Sequence, residues 1–317
     1  MTDRPTNAPL RPLTRKTFLK LSAAAAGSAL VGAGSNAMAS LPKLDTRPIP
    51  SSGEPLPIVG FGTWQTFDIG DNPTARAERE DVLRLLFEAG GKLIDSSPMY
   101  GRSEGVVGDL LAKMGARDKA FLATKVWTWG RDQGIGQMEQ SMTRFKTDTI
   151  DLMQIHNLVD WRTHLKTLRA WKEQKRFRYI GITHYTDAAL ADLMEVMRSE
   201  PIDFVQMAYS IRVRNAEERL LPLAADKGVA VIVNRPYEGG GAFRAVRGES
   251  LPEWAAEFDI ASWGQFFLKY ILSNPAVTCV IPGTGKVKYA VDNLGAGHGR
   301  LPDAATRAKM IEVMTGD

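Results

Sequence analysis

From residue 58 onward, short apolar runs rich in β-branched residues alternate with longer amphipathic stretches. The runs fall at 58–63, 92–95, 121–125, 151–156, 179–183, 204–209, 229–234 and 279–282. Runs this short and this apolar read as parallel strands buried on both faces. Between them the spacing predicts helices over 80–89, 103–113, 136–145, 161–174, 187–199, 216–227 and 262–273, with a last one from Lys288. In the first of these, Val82, Leu85, Leu86 and Ala89 share one face. Strand and helix alternating over about 250 residues predict an α/β protein, a (β/α)8 TIM barrel forming a single domain. No G-x-G-x-x-G follows the first run, which counts against a Rossmann sheet. The longest interruption runs from Arg235 to Ala261 and contains Glu238-Gly239-Gly240-Gly241. A loop of that length is expected to serve a function.

The formal charge of +4 suggests an anionic partner until it is mapped along the chain. Of 40 basic and 36 acidic residues, five and one lie within 1–39: Arg4, Arg11, Arg15, Lys16 and Lys20 against Asp3. The remainder carries 35 of each and is neutral. A nucleic-acid binder carries its basic excess on the folded body, so no nucleic-acid partner is expected. Cys279 is the only cysteine, which excludes an internal disulfide and a thiolate-rich metal site. Four scattered histidines count against a His-only site, and no metal is expected.

The basic excess has another use. Thr14-Arg15-Lys16-Thr17-Phe18-Leu19-Lys20 precedes an Ala/Gly-rich run over 21–34 and then Asn36-Ala37-Met38-Ala39. A basic stretch, an apolar stretch and an A-x-A-type site, in that order, read as an export signal over 1–39. It resembles the twin-arginine signal, with Lys16 in place of the second arginine. Residues 40–57 read as a linker and 58–317 as the barrel. The expected location is the periplasm, reached through export machinery that recognises residues 14–39, with no stable membrane insertion after cleavage behind Ala39. If the signal is not used, the location is the cytoplasm.

In such a barrel the functional groups gather at the carboxyl ends of the strands. Those ends carry Asp95, Lys125 and His156, and Tyr100 follows Asp95 in the same loop. Each has an ordinary reading alone: Asp95 as a cap, Lys125 as a surface charge, His156 as a rim histidine. Their shared rim makes them the catalytic candidates. A tyrosine hydroxyl ordinarily titrates at about 10 and is a weak acid near neutrality. A nearby ammonium favours its phenolate. Lys125 is placed to do this, Asp95 to hold Lys125, and His156 to orient a substrate oxygen. The set suits proton donation to a carbonyl oxygen as hydride reaches carbon, and the hydride must come from a cofactor. Trp64, Trp127 and Trp129 are expected to wall the substrate pocket and to favour an apolar or aromatic carbonyl compound. Cys279 reads as a core residue, and Trp171, His164 and His298 as structural or surface.

Ile94-Asp95-Ser96-Ser97-Pro98-Met99-Tyr100-Gly101, Lys125 and Leu152-Met153-Gln154-Ile155-His156-Asn157 resemble the aldo-keto reductase family. The likeness runs from Gly60-Phe61-Gly62-Thr63-Trp64 through Ile281-Pro282-Gly283-Thr284 to Asp292-Asn293. It implies carbonyl reduction with NADPH, Tyr100 being the proton donor and Asp95, Lys125 and His156 its supports. Gln206 matches the family's carboxamide-binding glutamine, and Thr183-His184 stands where a Ser-Asn pair is usual. Asn234-Arg235-Pro236 replaces an aromatic-Ser-Pro, so the ring that stacks on the nicotinamide is missing unless Tyr237 substitutes. Gly283-Thr284 and Tyr289 stand where the family has Lys-Ser and a later arginine. The resemblance therefore leaves Lys286 or Lys288 to meet a 2′-phosphate, with NADH as a second cofactor, and adds Asn293 to the cofactor contacts.

Two other readings use the same residues. One is a nicotinamide-nucleotide-binding sensor or partner protein on this barrel with little turnover, since a fold does not fix a function. The other is a Schiff-base enzyme with Lys125 as nucleophile. An ion pair with Asp95 keeps that amine protonated and argues against it.

Overall fold

The computed structural model describes residues 41–316, so the expected export signal and its expected cleavage site lie outside the described residues. The segment expected as a linker carries a hairpin, β1 (Thr46–Pro48) paired antiparallel with β2 (Pro55–Pro57). Its Ile49 and Leu56 are buried among inward side chains of the barrel, which gives the segment an apolar anchor. Spacing alone did not reveal this, because two strands interrupted by prolines have no readable period.

Eight parallel strands follow in chain order around one sheet. They are β3 (Phe61–Gly62), β4 (Leu93–Asp95), β5 (Phe121–Val126), β6 (Ile150–His156), β7 (Phe177–Thr183), β8 (Phe204–Ala208), β9 (Ala230–Asn234) and β10 (Cys279–Val280). Parallel bridges from Val59 to Val280 and from Gly62 to Gly283 bring the last strand back to the first. The expected (β/α)8 barrel is therefore the one observed. Its first and last strands are shorter than the apolar runs that announce them. Pro57 and Pro282 flank the seam, and neither has an N–H to add to a ladder.

Side chains alternate inward and outward along each strand, and this divides the interior into layers. Leu93, Phe121, Leu152, Tyr179, Phe204, Ile232 and Cys279 fill the lower barrel together with the hairpin. Each fully buried side chain of this size contributes about 1.5–3 kcal/mol. Further along the same inward rows the residues turn polar: Asp95, Lys125, Gln154, His156, Thr183, Gln206 and Asn234. The outward rows, including Ile94, Leu122, Met153, Ile155, Val205 and Val231, pack beneath the helices.

The helices are α1 (Pro73–Glu88), α2 (Ser103–Met114), α3 (Arg131–Phe145), α4 (Trp161–Glu173), α5 (Leu190–Ser199), α6 (Leu220–Lys227), α7 (Gly241–Ala245), α8 (Trp263–Leu272), α9 (Val287–Gly295) and α10 (Ala304–Thr315). α1 begins before its apolar stripe because Asn72 caps it, its side chain accepting the Ala75 N–H at 2.9 Å, with Pro73 at the first position. Helices α5 and α6 begin later than their stripes, after short 3-10 turns over Asp187–Ala189 and Asn215–Glu217. Spacing did not predict α10, which buries only Met310 and is pinned by Arg307 to Glu217 at 2.7 Å. The long 235–261 segment contains α7 and a 3-10 turn over Glu253–Phe258. Among the described residues no helix is long and apolar enough to cross a membrane.

Candidate active site

The carboxylate of Asp95, at the end of β4, meets Lys125 from β5. Lys125 Nζ lies 2.7 Å from Asp95 Oδ2 and 2.6 Å from the Ser96 carbonyl oxygen. Both side chains are buried. The same ammonium is 5.1 Å from the centroid of the Tyr100 ring. Tyr100 arrives on a turn in which its N–H donates to the Ser97 carbonyl at 3.0 Å and Gly101 takes φ +58. His156 closes β6 edge-on to Tyr100, with ring centroids 6.1 Å apart. Its Nδ1 lies 3.2 Å from Ser97 Oγ. The four candidates from the sequence therefore meet at one place.

Burial pushes the His156 imidazole down to about 3, and the Lys125 charge adds to the effect. The ring is neutral near physiological pH. When the Ser97 hydroxyl donates to Nδ1, the ring proton sits on Nε2. Tyr100 differs from the sequence-based expectation. Burial raises its hydroxyl pKa by more than Lys125 lowers it, and the Asp95 charge adds to the rise. Tyr100 thus keeps its proton at neutral pH. For Lys125, burial alone would lower the pKa, but the Asp95 charge and hydrogen bond outweigh it and the ammonium is stabilised. An amine held protonated is a poor nucleophile, which removes the ground for a Schiff base.

A cavity of about 750 Å³ opens over these groups. From the loops after β3 to β6 it is lined by Trp64, Met99, Tyr100, Trp127, His156 and Asn157. Trp64 lies 6.5 Å from Tyr100 and Trp127 6.2 Å from His156, centroid to centroid. Gln137 of α3 brackets the Trp127 backbone, accepting its N–H at 2.5 Å and donating to its carbonyl at 3.2 Å. Trp129, expected in the pocket, is instead 72% exposed and not part of the cavity wall. The chain turns directly after it at Gly130, whose φ is +84 and whose N–H donates to Asp160 Oδ2 at 2.8 Å. His164 is structural, its Nε2 lying 2.7 Å from the Thr128 carbonyl oxygen.

The loops after β7 to β10 supply the other wall residues, including Thr183, Tyr185, Gln206, Asn234, Arg235, Pro236, Tyr237 and Gly283. Gln206 Nε2 donates to Asp95 Oδ1 at 2.8 Å. Its Oε1 accepts from Thr183 Oγ1 at 3.0 Å and from Asn234 Nδ2 at 3.3 Å. One network therefore joins Thr183, Asn234 and Gln206 to Asp95. His184 is turned away from the wall, its Nδ1 accepting the Thr186 N–H at 3.1 Å. Tyr185 takes its place in the wall, with the Arg235 guanidinium 5.8 Å from its ring. Sequence reasoning missed Tyr185, although it stands two residues beyond the inward Thr183.

Four other cofactor candidates lie off the wall. Thr284 and Asn293 are buried supports: Tyr237 OH donates to Asn293 Oδ1 at 2.6 Å, and Asn293 Nδ2 donates to Thr284 Oγ1 at 2.9 Å. Lys286 and Lys288 are exposed at the start of α9, and Lys288 Nζ is 4.7 Å from the Tyr289 ring centroid. Two arginines that the sequence did not single out border glycines of this region, Gly285 behind the wall and Gly240 in it. A Cβ on Gly285 would lie 3.2 Å from the Arg79 guanidinium, and one on Gly240 would lie 3.4 Å from Arg244 Nη1. Cys279 is buried, and burial pushes its thiol pKa up. Among the described residues no group of His, Cys, Asp and Glu side chains gathers to hold a metal.

The aldo/keto reductase family model matches residues 58–308. The methylglyoxal reductase YeaE of Escherichia coli is 28% identical over 250 residues, which is 75% of this chain and 84% of that protein. The aldo-keto reductase str7 of Strobilurus tenacellus is 29% identical, covering 79% of this chain and 87% of its own. Among solved structures, an aldo-keto reductase from Bacillus halodurans in its holo form superposes with a TM-score of 0.68 at 25% identity, covering 86% of this chain and 96% of its own. An aldo/keto reductase from Klebsiella pneumoniae in complex with NADP and acetate shares the fold, with a TM-score of 0.71 at 22% identity over 83% of this chain and 93% of its own.

Proposed function

The chain belongs to the aldo/keto reductase family, and we propose that it reduces aldehyde or ketone carbonyls to alcohols with NADPH, Tyr100 being the proton donor. The observation that carries this reading is a protonated tyrosine and a neutral histidine meeting a buried ammonium–carboxylate pair beneath one cavity. A relative that is a methylglyoxal reductase and a neighbour solved with NADP support the substrate and cofactor classes.

The residues present fit a nicotinamide nucleotide. Asn234 Oδ1 is a buried acceptor without a partner, and a carboxamide N–H is the kind of donor it lacks. Gly239 and Gly240, at φ +64 and +89, allow close backbone approach to a phosphate at the cavity wall. Thr183, Gln206 and Asn234 would hold the nicotinamide end, with Arg235, Pro236 and Arg244 along the phosphates. Gly283, with buried Thr284 supporting it from behind, would hold the far end with Arg79, Lys286 or Lys288. The bound nucleotide supplies hydride.

The chain's own residues do the rest. His156 orients the carbonyl oxygen through Nε2–H. Tyr100 gives that oxygen its proton, a contribution of about 10²–10⁴-fold for a placed general acid. Lys125 stabilises the phenolate left behind, and Asp95 keeps Lys125 charged. Trp64 and Trp127 shield the reacting groups from water and offer an apolar face to an aromatic or aliphatic carbonyl compound. The Arg15-Lys16 leader supports export to the periplasm, and mass spectrometry of the mature protein should show cleavage behind Ala39.

The test is NADPH oxidation with an aromatic aldehyde. Turnover should vanish in Tyr100→Phe while NADPH binding persists. Binding of NADPH without turnover across a broad panel of carbonyl compounds would favour the sensor reading instead.

A further inference from the structure

Gln154 is fully buried inside the barrel, one strand over from Lys125 in the β5–β6 register. Its single hydrogen bond runs from Nε2 to Asp95 Oδ1 at 3.3 Å. Its Oε1 is buried and has no partner. Gln206, which donates to the same Asp95 oxygen at 2.8 Å, differs in having both ends of its carboxamide engaged. A buried carbonyl left without a donor costs about 1–3 kcal/mol. A methionine of similar size would avoid that cost, which offsets the loss of one long hydrogen bond to Asp95, so stability gives little reason for a glutamine here.

The effect on Asp95 does give a reason. Two carboxamides converge on Oδ1, and Lys125 Nζ takes Oδ2 at 2.7 Å. The three donors fix the plane of the carboxylate and spread its charge over both oxygens. Lys125 Nζ also donates to the Ser96 carbonyl at 2.6 Å, which leaves its third N–H on the side where the Tyr100 ring centroid stands 5.1 Å away. Without Gln154, less of the Asp95 charge is neutralised at Oδ1. The carboxylate then draws Lys125 more strongly, and Tyr100 feels more negative potential.

We propose that Gln154 is a positioning residue, which together with Gln206 holds Asp95 so that Lys125 remains available to Tyr100. This rests on the reductase reading above. The experiment compares Gln154→Met with the wild-type protein in three measurements. Thermal stability should be unchanged or higher, because the orphaned oxygen is gone. The phenolate absorbance of Tyr100, isolated by subtracting the titration of Tyr100→Phe, should move to higher pH. With NADPH and an aromatic aldehyde, kcat should fall about tenfold, with KM and the Kd for NADPH within about twofold.

An unshifted Tyr100 titration overturns the proposal. So does a loss of kcat accompanied by a matching loss of thermal stability, since that is what a merely structural residue would show. If the wild-type protein reduces no carbonyl compound, the reductase reading fails by itself, and the Tyr100 titration alone decides the role of Gln154.

Discussion

The Asp68 carboxylate occupies the space into which a side chain on Gly101 would project, and its Oδ1 accepts the Arg102 N–H at 3.0 Å. Gly101 also has φ +58, so the turn that delivers Tyr100 excludes a side chain on two separate grounds. Gly101→Ala is expected to cost about 1–2 kcal/mol of stability from the backbone alone. It should also lower kcat by displacing Tyr100. Chemical denaturation and steady-state kinetics check this, and an alanine variant with wild-type kcat would show that the turn has slack.

Turnover should show no acid limb near the ordinary histidine value of about 6.5. Burial holds His156 down to about 3, so its neutral form is already complete well below neutrality. On the alkaline side, burial raises Tyr100, and the donor form is lost only above the ordinary tyrosine value of about 10. A plot of kcat/KM against pH should stay flat through the neutral range.

The same histidine links folding to pH. In the unfolded chain it takes up a proton near pH 6.5, but in the folded protein only near pH 3. The unfolded state therefore binds more protons between those values, and stability falls as the pH drops through that window. Its contribution is fully present above the unfolded value. His156→Gln should flatten the fall in melting temperature on acidification; an unchanged slope would assign the acid sensitivity to other groups.

Lys125→Met leaves Asp95 buried without its counter-ion and should destabilise the fold by about 3–5 kcal/mol. Adding Asp95→Asn removes the uncompensated charge and should restore much of that loss, with activity still absent. Urea denaturation of the two single variants and the double variant reads the coupling directly. Additive losses would mean that the pair contributes little as a pair.

Cofactor preference separates the cations. Replacing Lys286 and Lys288 by alanine should weaken NADPH binding more than NADH binding if either meets the 2′-phosphate. Arg79→Ala is expected to show the same selectivity, because that guanidinium borders Gly285. Arg244→Ala should weaken both cofactors alike, since it borders Gly240 and would act on the shared phosphates. Fluorescence titrations with the two nucleotides give the ratios, and equal losses in the lysine variant would remove it from the 2′-phosphate role.

The barrel was legible because buried parallel strands announce themselves as apolar runs, and strand ends place Asp95, Lys125 and His156 without further information. Helix α10 was illegible because it buries only Met310 and has no stripe to read. Lys125 was expected to lower the Tyr100 pKa, but a sequence gives no measure of burial, and burial decides the direction. Gln154 and Tyr185 were within reach, each two residues from an inward position already identified, but neither carries chemistry of its own. Their importance comes from neighbours on other strands. Trp129 shows the opposite limit: it shares a loop with Trp127, yet one ring lines the cavity and the other is 72% exposed.

The hairpin that brings Ile49 and Leu56 into the lower barrel gives this vessel a floor. Ligands cannot pass through; everything that enters the well leaves by the same rim. A nucleotide seated against Gln206 and Asn234 and a carbonyl compound above Tyr100 and His156 would then share one doorway. Closed at its base, the barrel makes the rim the place where access to both is controlled.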